Sequence, residues 1–321
     1  MTTFGDRVYE LGGSPVGAGS NGGAPCVGKI WWVDGTNGLN SNSGRKPKQA
    51  KKTIQAAVDS QISETSSLGD IIYVMPGVYP ESITGNLTKV SIIGIPQYGH
   101  AAGTIAINPT AGSAYTGDMY HATLKNLLIL SPSSSNKTAD AVYLTNMRWS
   151  SIENCTFAGA DGTCITGLQV GSEADTAVAG ACDYNLIANN IFSTHAGYNS
   201  EFTHPIKIGS AGSTGAGAKT MVNTRITGNI IYGTTIGLYI GVVAGAQYGS
   251  IIDHNFVSSG SREHGCATSG ISNISASATT LVVENWINAE DGLVNWNTAC
   301  TMNNTVANAG TVVKELPTSG S

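Results

Sequence analysis

The sequence predicts an all-β solenoid in which each winding of the chain lays its strands on the winding before. Three observations predict it: a composition suited to short strands and tight turns, an asparagine-bearing motif that recurs between residues 124 and 306, and one helix-forming segment ahead of those repeats. The 321 residues include 41 glycines and many Asn, Ser and Thr, but only 12% are charged. That mixture favours strands joined by turns over helices. A net charge of −5 excludes general nucleic-acid binding, which needs a concentrated basic surface.

From the N-terminus, residues 1–29 form a glycine-rich arm ahead of the solenoid, with isolated apolar side chains at Phe4, Val8, Tyr9, Leu11 and Val16. The opening places Asp6, Arg7 and Glu10 where a signal peptide needs an apolar run, and no later run is long enough to span a bilayer. The expectation is a chain made in the cytoplasm with no signal peptide and no membrane partner. The basic cluster Arg45, Lys46, Lys48, Lys51 and Lys52 reads as a solvated loop, or else as a contact for an acidic partner surface. Residues 53–62 predict a capping helix, with Thr53 as N-cap and Ile54, Ala57, Val58 and Ile62 on one face. Such a cap covers a strand edge that would otherwise recruit other chains. Strands over Asp70–Val74 and 90–95 follow, with a turn at Pro76-Gly77 between them.

The repeat has the form apolar-x-x-Asn-x-apolar. Ile187, Ile252, Val282, Thr301 and Ile226 each start one, which puts Asn190, Asn255, Asn285, Asn304 and Asn229 at the fourth position and Phe192, Val257, Ile287, Val306 and Ile231 at the sixth. Segments starting at Leu124 and Ile152 keep the apolar ends but carry asparagine one place earlier, at Asn126 and Asn154. A parallel β-helix explains the pattern, because windings about 4.8 Å apart stack like residues on like. An amide both donates and accepts, so a column of asparagines satisfies buried polar groups at a bend. Gly237 reads as a further bend, and residues 139–144 and 204–209 read as equivalent strands of other windings. The widest spacings place insertions around 171–183, 194–203 and 210–221. The solenoid spans 30–313, followed by a tail over 314–321.

The passage WVDGTNG…KKTIQAAVDS…GDIIYVMPGVYPESIT…VSIIG resembles the opening of the pectate-lyase-like, right-handed parallel β-helix superfamily. The resemblance implies a right-handed, single-stranded parallel β-helix with an N-terminal capping helix and an extended arm. The opening segment, MTTFGDRVYELGGSPVGAGSNGG, also resembles the start of β-helix structural proteins of tailed bacteriophages, particularly head-associated ones. That resemblance implies a non-enzymatic virion protein that decorates or stabilises a capsid. Its arm would dock on a major capsid protein or other virion proteins, and by analogy it would be a homo-oligomer, a trimer.

The alternative is a polysaccharide-degrading enzyme, a tailspike-like depolymerase or a uronate lyase. Lyases of this fold need a carboxylate cluster and a base, and glycoside hydrolases need two acids facing one bond. The second repeat position reads Lys125, Glu153, Ala188, Thr227, Asp253, Val283 and Met302, so no two acids stack there. Lys125 over Glu153 predicts an exposed ion pair. Asp253, His254 and Glu284 are the nearest approach to a constellation, with Arg262, Glu263 and His264 on the following loop. Glu201, His204 and Lys207 read as a solvated loop, Glu81 as structural, and Asp34 as a turn residue with calcium as an alternative. Of Trp31 and Trp32, one ring is expected over the core and one outside. The six cysteines show no C-x-x-C pairing and read as reduced core residues, so neither a metal nor a cofactor is expected. No catalytic residue is assigned.

Overall fold

The winding from Arg225 to Ile252 shows how the chain is built. Arg225–Thr227 lies in sheet 1, Ile230–Tyr232 in sheet 2, and Ile236–Gly241 with Gln247–Tyr248 in sheet 3. Ile251–Asp253 then returns to sheet 1 one level up, where Ile252 pairs with Ile226. The computed structural model describes residues 10–11, 14–15, 28–64, 69–95, 105–131, 140–159, 164–171, 180–194, 202–209, 220–233, 235–242, 247–258, 266–273, 279–294, 301–302, 304–308 and 311–314. Among these, sheet 1 contains ten strands, each parallel to its neighbours.

Parallel register puts inward side chains in columns. Leu124, Ile152, Ile187, Ile226, Ile252 and Val282 follow one another up sheet 1, all buried. Phe157 and Phe192 stack in sheet 2 with ring centroids 4.4 Å apart. Burial of each such side chain contributes roughly 1.5–3 kcal/mol, so the core is a continuous apolar rod between the three sheets.

Asn190, Asn229, Asn255, Asn285 and Asn304 form one buried column at the corner between sheets 1 and 2. The Oδ1 of Asn255 accepts from both the backbone N–H (3.0 Å) and the Nδ2 (2.9 Å) of Asn229. The Nδ2 of Asn255 donates to the Ile226 carbonyl at 2.9 Å and to the Oδ1 of Asn285 at 3.0 Å. The same pattern links Asn190 to Asn229 and Asn285 to Asn304. Asn126 and Asn154 do not join this column; they occupy the left-handed residue just before it, with φ of 58° and 53°. Cys155 takes the column position in its winding, and its backbone N–H donates to the Oδ1 of Asn190 at 2.9 Å. Burial pushes the Cys155 thiol up to about 12, as it does that of Cys182. Both are free and buried, while the side chains of Cys26, Cys164, Cys266 and Cys300 lie outside the described residues.

A second polar ladder occupies the corner between sheets 3 and 1. The backbone N–H groups of Ala122, Ser150, Asn185 and Thr224 donate to side-chain oxygens of Ser150, Asn185, Thr224 and Ser250 at 3.0–3.4 Å. All ten described non-glycine residues with positive φ lie at these two corners. The left-handed conformation costs about 1–2 kcal/mol for an ordinary residue and little for Asn or Gly. At Gly249 a Cβ would also meet the Oδ1 of Asn223 at 2.0 Å, so the Asn223 side chain would have to move.

The helix Ile54–Ile62 covers the first windings. Thr53 accepts from the Ala56 N–H at 3.2 Å, and Glu81 accepts from the N–H groups of Ile54 and Gln55 at 2.8 and 2.9 Å. Its buried face is Ile54, Ala57, Val58 and Gln61; the expected Ile62 is half-exposed. Seven residues make almost two full turns, so Gln61 returns to the face of Ile54 and Ile62 falls beside it. Gly237 is not a bend either, for it lies within Ile236–Gly241. Its counterpart in the strand one winding on is Gly270, where a Cβ would strike the Ile287 side chain. At the C-terminal end Thr305–Asn308 pairs antiparallel with Thr311–Lys314, which brings Lys314 into the hairpin rather than the tail.

The Asn255→Ala variant removes one Oδ1 acceptor and leaves the Asn229 N–H, the Asn229 amide and the Ile226 carbonyl short of partners. With each buried unsatisfied group costing about 1–3 kcal/mol, a loss near 3 kcal/mol is expected in urea unfolding. A loss below about 1 kcal/mol would mean that the column is not structural.

Candidate functional site

The densest charged cluster among the described residues lies where Asp253, His254 and Glu284 meet Arg225. Asp253 is an outward residue of its sheet 1 strand, and the left-handed corner that follows holds His254 and, one winding later, Glu284. The Arg225 guanidinium grips Asp253 with both arms, Nε to Oδ1 at 3.1 Å and Nη2 to Oδ2 at 2.5 Å. His254 bridges the two carboxylates, with Nδ1 2.9 Å from Asp253 and Nε2 2.7 Å from Glu284. Asp253 is thereby only 3% exposed although it points away from the core.

Burial acts to raise the Asp253 carboxyl, but hydrogen bonds from Arg225, His254 and Thr227, with the Arg225 charge, hold it below the usual range. The hydrogen bond and charge of Asp253 in turn raise Arg225. Chemically the arrangement is closed. Both imidazole nitrogens face carboxylates and Asp253 is covered by Arg225 and His254, which leaves Glu284 as the half-exposed carboxylate. A glycosidase needs two acids facing one bond, and here the imidazole stands between them. Among the described residues no three His, Cys, Asp or Glu side chains converge as a metal site.

The other sequence candidates separate. Lys125 and Glu153 pair at 3.3 Å. The Asp34 Oδ1 accepts from the N–H groups of Thr36 and Asn37, both at 2.9 Å, which makes it a turn residue. Trp31 is buried beneath the Arg45 guanidinium, and Trp32 lies half-buried beside Tyr73. Arg45 also pairs with Glu64, so it belongs to the body of the protein rather than to a free basic patch. His204 and Lys207 lie in the sheet 3 strand Phe202–Gly209, not in a loop; His204 packs edge-on against Tyr239. Glu201, Arg262, Glu263 and His264 fall outside the described residues, as do Phe4, Val8, Tyr9 and Val16. Leu11 lies in a two-residue strand, Glu10–Leu11, paired with Ser14–Pro15.

Sequence reasoning missed Arg225, which precedes its repeat start, and a column of exposed aromatic rings at the other corner. His121 and Trp149 stack with centroids 5.1 Å apart, and Trp149 and Tyr184 with centroids 5.7 Å apart. All three sit three residues before a repeat start, and that spacing was the available signal.

No protein-family model matches the chain, and no curated protein matches it by sequence. Among solved structures it is similar to a pectin methylesterase from carrot, with a TM-score of 0.53 and 13% identity over 89% of this chain and 84% of that one. The chain is a right-handed, single-stranded parallel β-helix. The pectate lyase Pel9A is similar at a TM-score of 0.49 and 16% identity, over 81% of this chain and 63% of that one. At these identities the likeness is one of fold.

The lowered Asp253 carboxyl gives a signed pH dependence. Its contribution to stability is present above about pH 4, the unfolded value, and is lost as pH falls through the folded value. Urea midpoints of Asp253→Asn should therefore drop less steeply than wild type on acidification below about pH 4. Parallel acid limbs would show that the carboxylate contributes nothing.

Proposed function

We propose that this β-helix is a non-enzymatic structural protein of a virus particle that decorates or stabilises a capsid. The observation that carries the reading is that outward charges neutralise one another between windings instead of converging on a point in solvent. Lys125 meets Glu153, Arg148 meets Asp183 at 3.5 Å, and Arg225 meets Asp253. A rod so built is suited to rigidity rather than to turnover. The likeness of MTTFGDRVYELGG to head-associated phage proteins supports the same reading.

In this role the N-terminal arm, with Phe4, Val8, Tyr9, Leu11 and Val16 as anchors, docks on a major capsid protein or another virion protein. Bound copies then stabilise the shell by mass action. Deletion of residues 1–28 should abolish co-sedimentation with capsids while the melting temperature stays at the wild-type value. Undiminished co-sedimentation would remove the arm from the mechanism, and a purified virion without this chain would remove the role itself.

A second reading, a polysaccharide-degrading enzyme, is favoured by one observation: His254 lies between Asp253 and Glu284 at hydrogen-bonding distance from both. The fold is also that of a protein described as a pectin methylesterase. Release of reducing ends from polygalacturonate, lost in Glu284→Gln, would replace the first reading with this one.

A further inference from the structure

Three consecutive windings carry an aromatic ring at the left-handed corner between sheets 3 and 1: His121, Trp149 and Tyr184, with φ of 49°, 49° and 59°. The next two windings place Asn223 and Gly249 there, the residue types that this conformation favours. Bulky rings are therefore held where the backbone disfavours them, and a conformational outlier of this kind points to a role. Core burial does not account for them, since Trp149 is 47% and Tyr184 48% exposed. The rings stack almost parallel, at interplanar angles of 6° and 11°, into a strip along the rod. Beside the strip runs an open groove of about 620 Å³, to which Thr123, Ser151 and Asn223 add hydroxyl and amide groups. None of its lining residues is Lys, Arg, Asp or Glu.

We infer that this corner binds an uncharged polysaccharide. A pyranose ring presents carbon-bound hydrogens on its faces and hydroxyls at its rim. The first pack on aromatic surface, and the second need hydroxyl and amide partners, which is what the groove offers. A polyuronate would bring one carboxylate per residue to a groove whose lining holds no Lys or Arg. The strip crosses successive windings about 4.8 Å apart, so an extended chain lying along the rod meets one ring after another. This site is at a different corner from Asp253, His254 and Glu284, and it stands independently of the virion reading.

Native electrophoresis through gels containing hydroxyethylcellulose, galactomannan or polygalacturonate tests the inference. Wild type should be retarded in at least one of the two neutral gels and not in polygalacturonate. The Trp149→Asn/Tyr184→Asn double variant, which repeats the solution present at Asn223, should lose the retardation while melting at or above the wild-type temperature. Tyr184→Asn alone should lose part of it, which gives a second reading if the double variant does not fold. Glu284→Gln should be retarded as wild type. No retardation in either neutral gel, retardation in polygalacturonate, full retention by the Tyr184→Asn or double variant, or loss in Glu284→Gln would each overturn the assignment.

Discussion

Every residue in the stacked windings must be compatible with its own counterpart one level away. Strand pairing fixes that spacing, and the side chains have no freedom to escape it. Aliphatic residues meet the requirement by packing, as from Leu124 to Val282, and rings meet it by stacking, as in Phe157 and Phe192. Amides meet it by donating along the column and accepting from it, as from Asn190 to Asn304. Charges cannot meet it with their own kind, so outward positions place opposite signs in neighbouring windings, as in Lys125 and Glu153. The asparagine column is the strictest case, because each amide from Asn190 to Asn285 is a partner to the windings on both sides.

Much of this was legible in the sequence, and the exceptions have physical reasons. The asparagine column could be read because one residue type does the work at each level. The ladder at the other corner could not, because Ser150, Asn185, Thr224 and Ser250 do the same work with different side chains. A backbone N–H needs only an oxygen within reach, and several residue types supply one. Asn126 and Asn154, read one place ahead of the other asparagines, do lie there: asparagine suits both the buried column and the left-handed residue before it. Gln61 replaced Ile62 on the helix face because helical geometry decided the matter over hydrophobicity. At the candidate site, the succession of Asp253, His254 and Glu284 was visible in the repeat frame. Arg225 was not, since it reaches its partner diagonally across strands.

The left-handed corners determine where chemistry can sit on this surface. A residue there projects outward at a fixed level, beside the equivalent residue of the next winding. One corner therefore gathers His254 and Glu284 around Asp253, and the other gathers His121, Trp149 and Tyr184. The same geometric device yields a hydrogen-bonded charge cluster in one place and an aromatic strip in the other. The difference lies in side-chain identity alone, which is why a fold shared with a pectin methylesterase leaves function to be argued from these corners.

The C-terminal hairpin bears on how such rods meet. By folding Thr311–Lys314 back along Thr305–Asn308, the chain reverses polarity on the last rung of sheet 2. A second molecule arriving head-to-tail finds a strand running the wrong way for the parallel pairing used everywhere below it. Head-to-tail stacking would therefore switch sheet 2 from parallel to antiparallel pairing at that junction.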